Sequence, residues 1–419
     1  PKMPSNESGC YQISDAAELY GFASIVNGTD GFKRDTAACG KLVNNIVVNE
    51  NVLDGSGNLN VADTANFAQW VPMMEFRGKF DGNSHTISGL YVNDEYSFSG
   101  LFGVILLHEE DSTVSIRNLG IVGSYFFSHS YVGAIAGFVG SGANVIIENC
   151  FSNSRIESDG DYAGGLVGMS VANILFKNVH NLGTVIAGSV AGGIAGYLYV
   201  GRIKVINAYN MGTVSMPSSS YRAGGLVGYV NSSEDASFEN CFNMGSVTGE
   251  LYIGGIVGDV GGTFLLMDEV YNAGTIVSEP GVVGRSFAGG LAGSVGAKTK
   301  IQNAYNTGTV SGGEFLSGIV GLSYADISLT NVYNVGTLLS NQSSSDHVKP
   351  IVFVDNSLYS SNCENVFYLN ESYSSFECGT FVTSEQLEDG SIAYLLHNSF
   401  YDSIEATVWG QDVGNDPYP

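Results

Sequence analysis

NVHNLGTV at 178–185, GGIAG at 192–196, NAYNMGTV at 207–214 and GGLVG at 224–228 are two motifs, each met twice, in the same order and at nearly the same spacing. Worked outward, the Gly-framed motif returns as GGLVG at 164–168, GGIVG at 254–258 and GGLAG at 289–293, with looser copies at 99–103, 133–137 and 317–321. The eight closing glycines, from Gly103 to Gly321, lie 28–35 residues apart. The Asn-led motif keeps the same phase, at Asn240, Asn303 and Asn331, with degenerate copies beginning at Asn118, Asn149, Glu269 and Asn365. Two motifs sharing one period over more than half the chain specify a repeat architecture, in which each unit buries its apolar face only against its neighbours.

The unit is too short and too rich in glycine for a helix pair. It carries β-branched and aliphatic runs instead, such as Val145-Ile146-Ile147 and Ile203-Lys204-Val205-Ile206, bounded by Gly, Asn and Ser. About thirty residues accommodate three short strands and three corners, one turn of a parallel β-helix, with successive coils about 4.8 Å apart. The expectation is an all-β, right-handed parallel β-solenoid of about eight to ten coils with short helical caps. Residues 1–60 read as an N-terminal cap, 61–370 as the solenoid and 371–419 as a C-terminal cap and exit segment.

Stacking turns equivalent positions into rows. The leading Asn becomes an amide ladder (Asn149, Asn178, Asn207, Asn240). The residue after it is small and apolar and reads as core. The next is mostly aromatic: Phe151, His180, Tyr209, Phe242, Tyr271, Tyr305, Tyr333 and Phe367. Alternation places this row on the outside. Its rings either stack on sugar rings or on each other to shield the strands.

These motifs resemble the GLUG repeat family, over about residues 76–370, and the lead-in FRGKFDGNSHTISGLYV from Phe76 to Val92 resembles the segment that precedes such repeats. The resemblance implies a secreted or cell-surface bacterial protein of adhesin type, or a non-catalytic region of an immunoglobulin A peptidase. It implies no ligand. The zinc motif HExxH of those peptidases is absent from this sequence, so their activity does not carry over.

A net charge of −25 argues against nucleic acid and anionic membranes as partners. No apolar run is long enough to span a bilayer, and Pro1-Lys2-Met3 shows no signal peptide, so the chain reads as a mature or excised segment. Cys10 and Cys39 flank a segment that reads as a helix, with Ser14-Asp15 at its start and Leu19, Phe22, Ala23 and Val26 on its apolar face. Cys363 and Cys378 flank a C-terminal strand and turn. Both pairs read as disulfides, which fits an oxidising compartment. Cys150 and Cys241 occupy the core position three coils apart, too far to bridge, and read as free thiols. Thr383-Ser384-Glu385-Gln386 reads as a capping box opening a helix through Leu395, and the tail from Trp409 as an extended exit.

Candidate chemistry is sparse. The row before the Asn ladder places Arg117, Glu148 and Lys177 as an ion-pair ladder. It also sets two like charges, Glu239 and Asp268, on neighbouring coils. Such a pair can share a proton or hold a cation, and the plainer reading is two solvated carboxylates. Asp54 to Asn60 reads as a turn rather than a calcium loop, because Ala65 stands where a closing Glu is needed. His85 reads as a structural hydrogen-bonding group. Longer connections at 215–223 and 277–288 carry Arg222 and Arg285, candidate binding residues at one corner. No cofactor is expected. The functional expectation is a non-catalytic extracellular module for adhesion or binding, with a glycan or a host or cell-surface protein as partner, or a structural stalk. The alternative is an ancillary region of a secreted carbohydrate-active enzyme or peptidase whose catalytic domain lies outside this chain. A catalytic solenoid would need an acid–base set around Glu239 and Asp268.

Overall fold

The computed structural model describes all residues except 94–97, 107–112, 143, 218–220, 280–284, 342–346, 355–358, 370–377, 399–408, 410 and 414. The expected boundary between residues 370 and 371 falls outside the described residues. One coil shows the plan. It contains β1 (Tyr162–Gly164), β2 (Val167–Ser170), β3 (Asn173–Asn181) and β4 (Thr184–Ile186). There are thus four strands per coil, not three, because the Gly-Gly pair bends the chain sharply between β1 and β2.

Each strand pairs in parallel with its equivalent one coil on: Tyr162 with Val190, Val167 with Ala195, Val179 with Ala208, Thr184 with Thr213. The column through β3 runs without a break from Cys10–Ile13 and Cys39–Leu42 to Ser361–Tyr368. The protein is a parallel β-solenoid of about eleven turns, more than the eight to ten expected. The surplus arises at the N-terminal end, where coils form from Cys10 onward without the Gly-framed motif.

Alternation fills the core. In β3, Ile174, Phe176 and Val179 are buried while Leu175 and Lys177 look outward. Each buried aliphatic or aromatic side chain of this kind contributes roughly 1.5–3 kcal/mol of transfer free energy. The row after the leading Asn is fully buried, including Cys150, Val179, Ala208, Cys241 and Val270.

The leading Asn row is a ladder, and it is also a backbone requirement. Asn149, Asn178, Asn207 and Asn240 sit at φ 53°, 54°, 52° and 52°, a left-handed conformation that Asn tolerates better than other non-Gly residues. Their amides bond down the stack at 2.8–2.9 Å. Glu269 takes the same conformation and interrupts the amide chain, so Asn303 donates instead to Asp268 at 2.9 Å.

A second Asn ladder, not anticipated from the sequence, runs inside the rod. Asn181, Asn210, Asn243, Asn272, Asn306 and Asn334 link side chain to side chain at 2.8–2.9 Å. Each of the first five is fully buried and accepts from the N–H of the glycine two residues on. The second glycine of each Gly-Gly pair packs against this ladder. A Cβ on Gly165 would lie 2.9 Å from Asn181 Oδ1 and 2.0 Å from the Gly193 carbonyl oxygen. The two sequence motifs keep phase because they touch across the interior.

Both ends are closed. Helix α1 (Ala16–Asn27) is capped by Asp15, which accepts from Glu18 N–H at 2.8 Å, and buries Leu19, Phe22, Ala23 and Val26 against the first coil. Cys10–Cys39 joins the first two rungs, and Cys363–Cys378 ties the last. At the C-terminal end the capping box at Thr383 is present, but the helix stops early. Helix α2 (Ser384–Glu388) ends before Gly390, at φ 83°, and α3 (Ser391–Asn398) follows. The tail is not an extended exit. Trp409 is buried against Tyr333 and Tyr305, and the Tyr333 hydroxyl donates to the Pro419 carbonyl at 2.9 Å.

Candidate binding surface

The outward aromatic row sits in β3 and its equivalents. Phe151, His180, Tyr209, Phe242, Tyr271, Tyr305 and Tyr333 stack ring on ring at 4.6–5.0 Å with interplanar angles of 2–6°. The strands' own spacing imposes this, since parallel rungs place equivalent rings one coil apart. Stacking covers both faces of every internal ring, leaving edges toward solvent. Tyr333 is 1% exposed beneath the C-terminal cap, so it is not available to a ligand.

A second set of rings, missed by the sequence reading, lines the Gly-Gly bend. On the β1 side the register gives Phe98, Tyr131, Tyr162, Val190, Arg222, Tyr252, Phe287 and Phe315. On the β2 side it gives Phe138, Met169, Tyr197, Tyr229 and Asp259. Outward side chains from the two strands meet: Tyr162 touches Tyr197 edge-on at 5.3 Å, and Tyr131 leans on Phe138 at 5.8 Å. Outward groups can touch across a bend only where the outer surface folds inward, so the bend forms a groove along the rod. The closing glycine lies at its base. A Cβ on Gly168 would stand 2.6 Å from Val132 N, so no side chain fits there. The signal was present in the sequence two residues before each Gly-Gly and one residue after each closing Gly. It was obscured because Val190 and Arg222 interrupt the first row and Met169 and Asp259 the second.

Within each row the rings stack, as Tyr197 does on Tyr229 at 15°, whereas Tyr197 is tilted at 37° against Tyr199 and at 67° against Tyr162 across the bend. Tyr199 is 41% exposed at the rim. Burial pushes the Tyr197 phenol up to about 12 and raises those of Tyr131, Tyr162, Tyr229 and Tyr252, so these hydroxyls stay protonated donors around neutrality.

Arg222 is not the free loop cation expected. It lies in a strand (Arg222–Gly224), its Nε donates to Asp259 Oδ2 at 2.6 Å, and its guanidinium sits 4.2 Å above the Tyr229 ring. Its charge is neutralised within the groove. Arg285 is exposed, 5.5 Å over Phe315. Residues 218–220 and 280–284 of the two connections lie outside the described residues.

Glu239 and Asp268 are neighbours in register, but each carboxylate has other partners. Lys204 approaches Glu239 at 3.3 Å and Ser237 donates to it, while Gln302 and Asn303 donate to Asp268 at 2.7 and 2.9 Å. Among the described residues no group of three or more His, Cys, Asp or Glu is arranged to hold a metal. Glu148 bridges Arg117 and Lys177 at 3.6 and 3.0 Å, an exposed ladder of modest worth. Cys150 and Cys241 are free and buried, and burial pushes both thiols up to about 12. Asp54 accepts from the Ser56 and Asn58 backbones within a turn, and His85 Nδ1 lies 3.3 Å from Asn45 Oδ1. Among the described residues no helix is long and apolar enough to cross a membrane.

No protein-family model matches the chain, and no curated protein matches it. Among solved structures it is similar to one described as that of a putative immunoglobulin A1 protease from Bacteroides ovatus. The two share 18% identity with a TM-score of 0.41, over 93% of this chain and 88% of that one.

Proposed function

We propose that this chain is a non-catalytic, extracellular β-solenoid module that binds an extended partner, a glycan or a surface protein, along its length. One observation carries the reading: the outward side chains from Phe151 to Tyr333 form a row of rings that repeats similar chemistry coil after coil, in register, along the rod. Catalysis needs unlike groups converging on one point, whereas a repeated row offers a long surface suited to a polymer or to many weak contacts. Supporting features are the two disulfides, which suit an oxidising compartment. The resemblance to GLUG repeats points the same way, toward a cell-surface location.

The test is to pass the purified chain over an array of glycans, plant polysaccharides and matrix proteins, and to analyse every retained polymer for products. Retention with no chemical change is expected. Conversion of a retained polymer overturns the non-catalytic reading, and retention on nothing overturns the binding reading in favour of a spacer.

A further inference from the structure

Two residues past the ring row, directly after the inner Asn, a further outward row follows the rod. It runs in register from Leu182, Met211, Met244 and Ala273 to Val335 and Leu369, each backbone N–H donating to a carbonyl of the coil before. Its C-terminal end is covered. Val335 and Leu369, with Tyr305 of the ring row, pack against the cluster that holds Leu387, Ile392 and Leu396 of the cap helices and Trp409. Trp409 Nε1 also donates to Asn303 of the outer ladder at 3.3 Å. Upstream the row is bare: Leu182, Met211 and Met244 are 39%, 52% and 50% exposed, and Ala273 is exposed. The chain itself thus shows what these two rows take up, a helical segment with an aliphatic face and an aromatic anchor. Charge borders the bare stretch on its C-terminal half, where Glu239 precedes Met244 and Asp268 and Glu269 precede Ala273. Lys204 meets Glu239 at 3.3 Å, but the groups that donate to Asp268 are the uncharged Gln302 and Asn303. Burial, with Asp268 and Glu239, raises the Glu269 carboxyl, as a crowded negative field does.

We propose that Leu182, Met211, Met244 and Ala273, with the ring edges of Tyr209 and Phe242 beside them, dock an amphipathic helix of a partner protein, cationic on its polar side and lying along the rod axis. The inference rests on the binding reading above and names its partner class and place. Continuity argues for a helix, because the same two rows already hold α2, α3 and Trp409 at their C-terminal end. Pitch argues for its direction. A helix advances roughly 5.4 Å per turn, and rings of successive coils stand 4.6–5.0 Å apart. Apolar residues at i, i+4 and i+7 of the partner therefore each meet one coil. Met211 and Met244 are unbranched and polarizable, and adapt to anchors of varied shape. A sugar would need ring faces, which the flat stack hides. A second copy would bring another −25 against this one, whereas a cationic helix is drawn toward Glu239, Asp268 and Glu269.

The experiment is fluorescence anisotropy of labelled peptides titrated with the full chain at physiological ionic strength. The probes are an amphipathic Leu/Lys helix of about five turns, the same composition scrambled so that no apolar face forms, and a Leu/Glu helix of the same pattern. The amphipathic Leu/Lys helix is expected to bind at least about tenfold more tightly than either of the others. Met211→Ser, at an exposed position and so compatible with folding, is expected to weaken it about fivefold, and Leu182→Ser/Met211→Ser/Met244→Ser to abolish it. Leu339→Ser, 53% exposed on a different row, is expected to change nothing. Equal binding of the scrambled peptide overturns the inference, since charge alone would then suffice. So does binding that survives the triple variant. Self-association of the chain that the triple variant abolishes, with no peptide bound, overturns it in favour of a second copy. Retention on a glycan or protein in the array above, unchanged in the triple variant and with no peptide bound, overturns this inference and leaves the binding-module reading standing.

Discussion

Asn207 and Asn210 belong to one motif yet hold the coil together by different physics. Asn207 is exposed and occupies a left-handed corner, so what it supplies is mainly tolerance of φ 52°. Asn210 is fully buried, donates to Asn243 and to the Gly212 carbonyl, and accepts from Gly212 N–H. A glycine can replace the first role but not the second. We expect Asn207→Gly to be nearly neutral and Asn207→Ala to cost about 1–2 kcal/mol. Asn243→Ala, which strands partners in the dry interior, should cost roughly 2–4 kcal/mol. Urea midpoints of the three variants check this, and equal losses for Asn207→Ala and Asn243→Ala would remove the distinction. Sequence reasoning found the outer ladder because a leading Asn is conspicuous at each repeat. It passed over the inner one because Asn-x-Gly is also how an ordinary surface turn reads, and burial of a polar row is not written in the residues themselves. The groove tyrosines escaped for a related reason: their rows are broken at Val190 and Arg222, so only the pairing register reveals them as rows.

At the scale of elements, the caps decide whether the rod's ends are safe from edge-to-edge association. Beside its Asp15 cap, helix α1 draws on a second carboxylate. Glu18 accepts from Lys2 at 2.7 Å and from the Ser14 hydroxyl and backbone at 2.6 and 2.9 Å, which together hold its carboxyl down at about 2 against an ordinary 4.5. A depressed folded-state value means the stabilisation is fully present above 4.5 and is lost as pH falls toward 2. Amide protection in α1 should therefore fall across that window, relative to the central coils, and Glu18→Gln should flatten the dependence while lowering protection at neutral pH. An unchanged pH profile in Glu18→Gln would remove Glu18 from this role. The start of α1 and its apolar face were legible because capping and 3.6-residue periodicity are local signals. The C-terminal end was legible only at its capping box. The break at Gly390 and the return of Trp409 onto Tyr333 depend on contacts with coils that the local sequence does not encode.

At the scale of the whole molecule, a solenoid has no long-range contact to make it unfold as one body; each coil answers only to its neighbours. How far cooperativity spreads is then measurable with the two thiols nature placed in the core. Cys150 and Cys241 are both buried, three coils apart, and burial pushes each thiol up to about 12, so neither should react with a thiol reagent in the native protein. Gly225 lies in the coil of Cys241. A Cβ there would meet the Gly255 carbonyl oxygen at 2.0 Å and Asn243 Oδ1 at 2.7 Å, backbone and buried ladder alike, and neither can move aside cheaply. In Gly225→Ala we expect the damage to stay near that coil. Cys241 should become reactive at lower urea than Cys150, with the two sites resolved by mass spectrometry of labelled peptides. The inner Asn ladder works against this, since it runs unbroken from Asn181 to Asn334 and transmits a lost partner to the next coil. Cys150 lies one coil before that ladder begins. Simultaneous exposure of both thiols would mean that rung pairing alone couples the coils over at least three turns, and that the rod behaves as one rigid unit able to present its groove without local fraying.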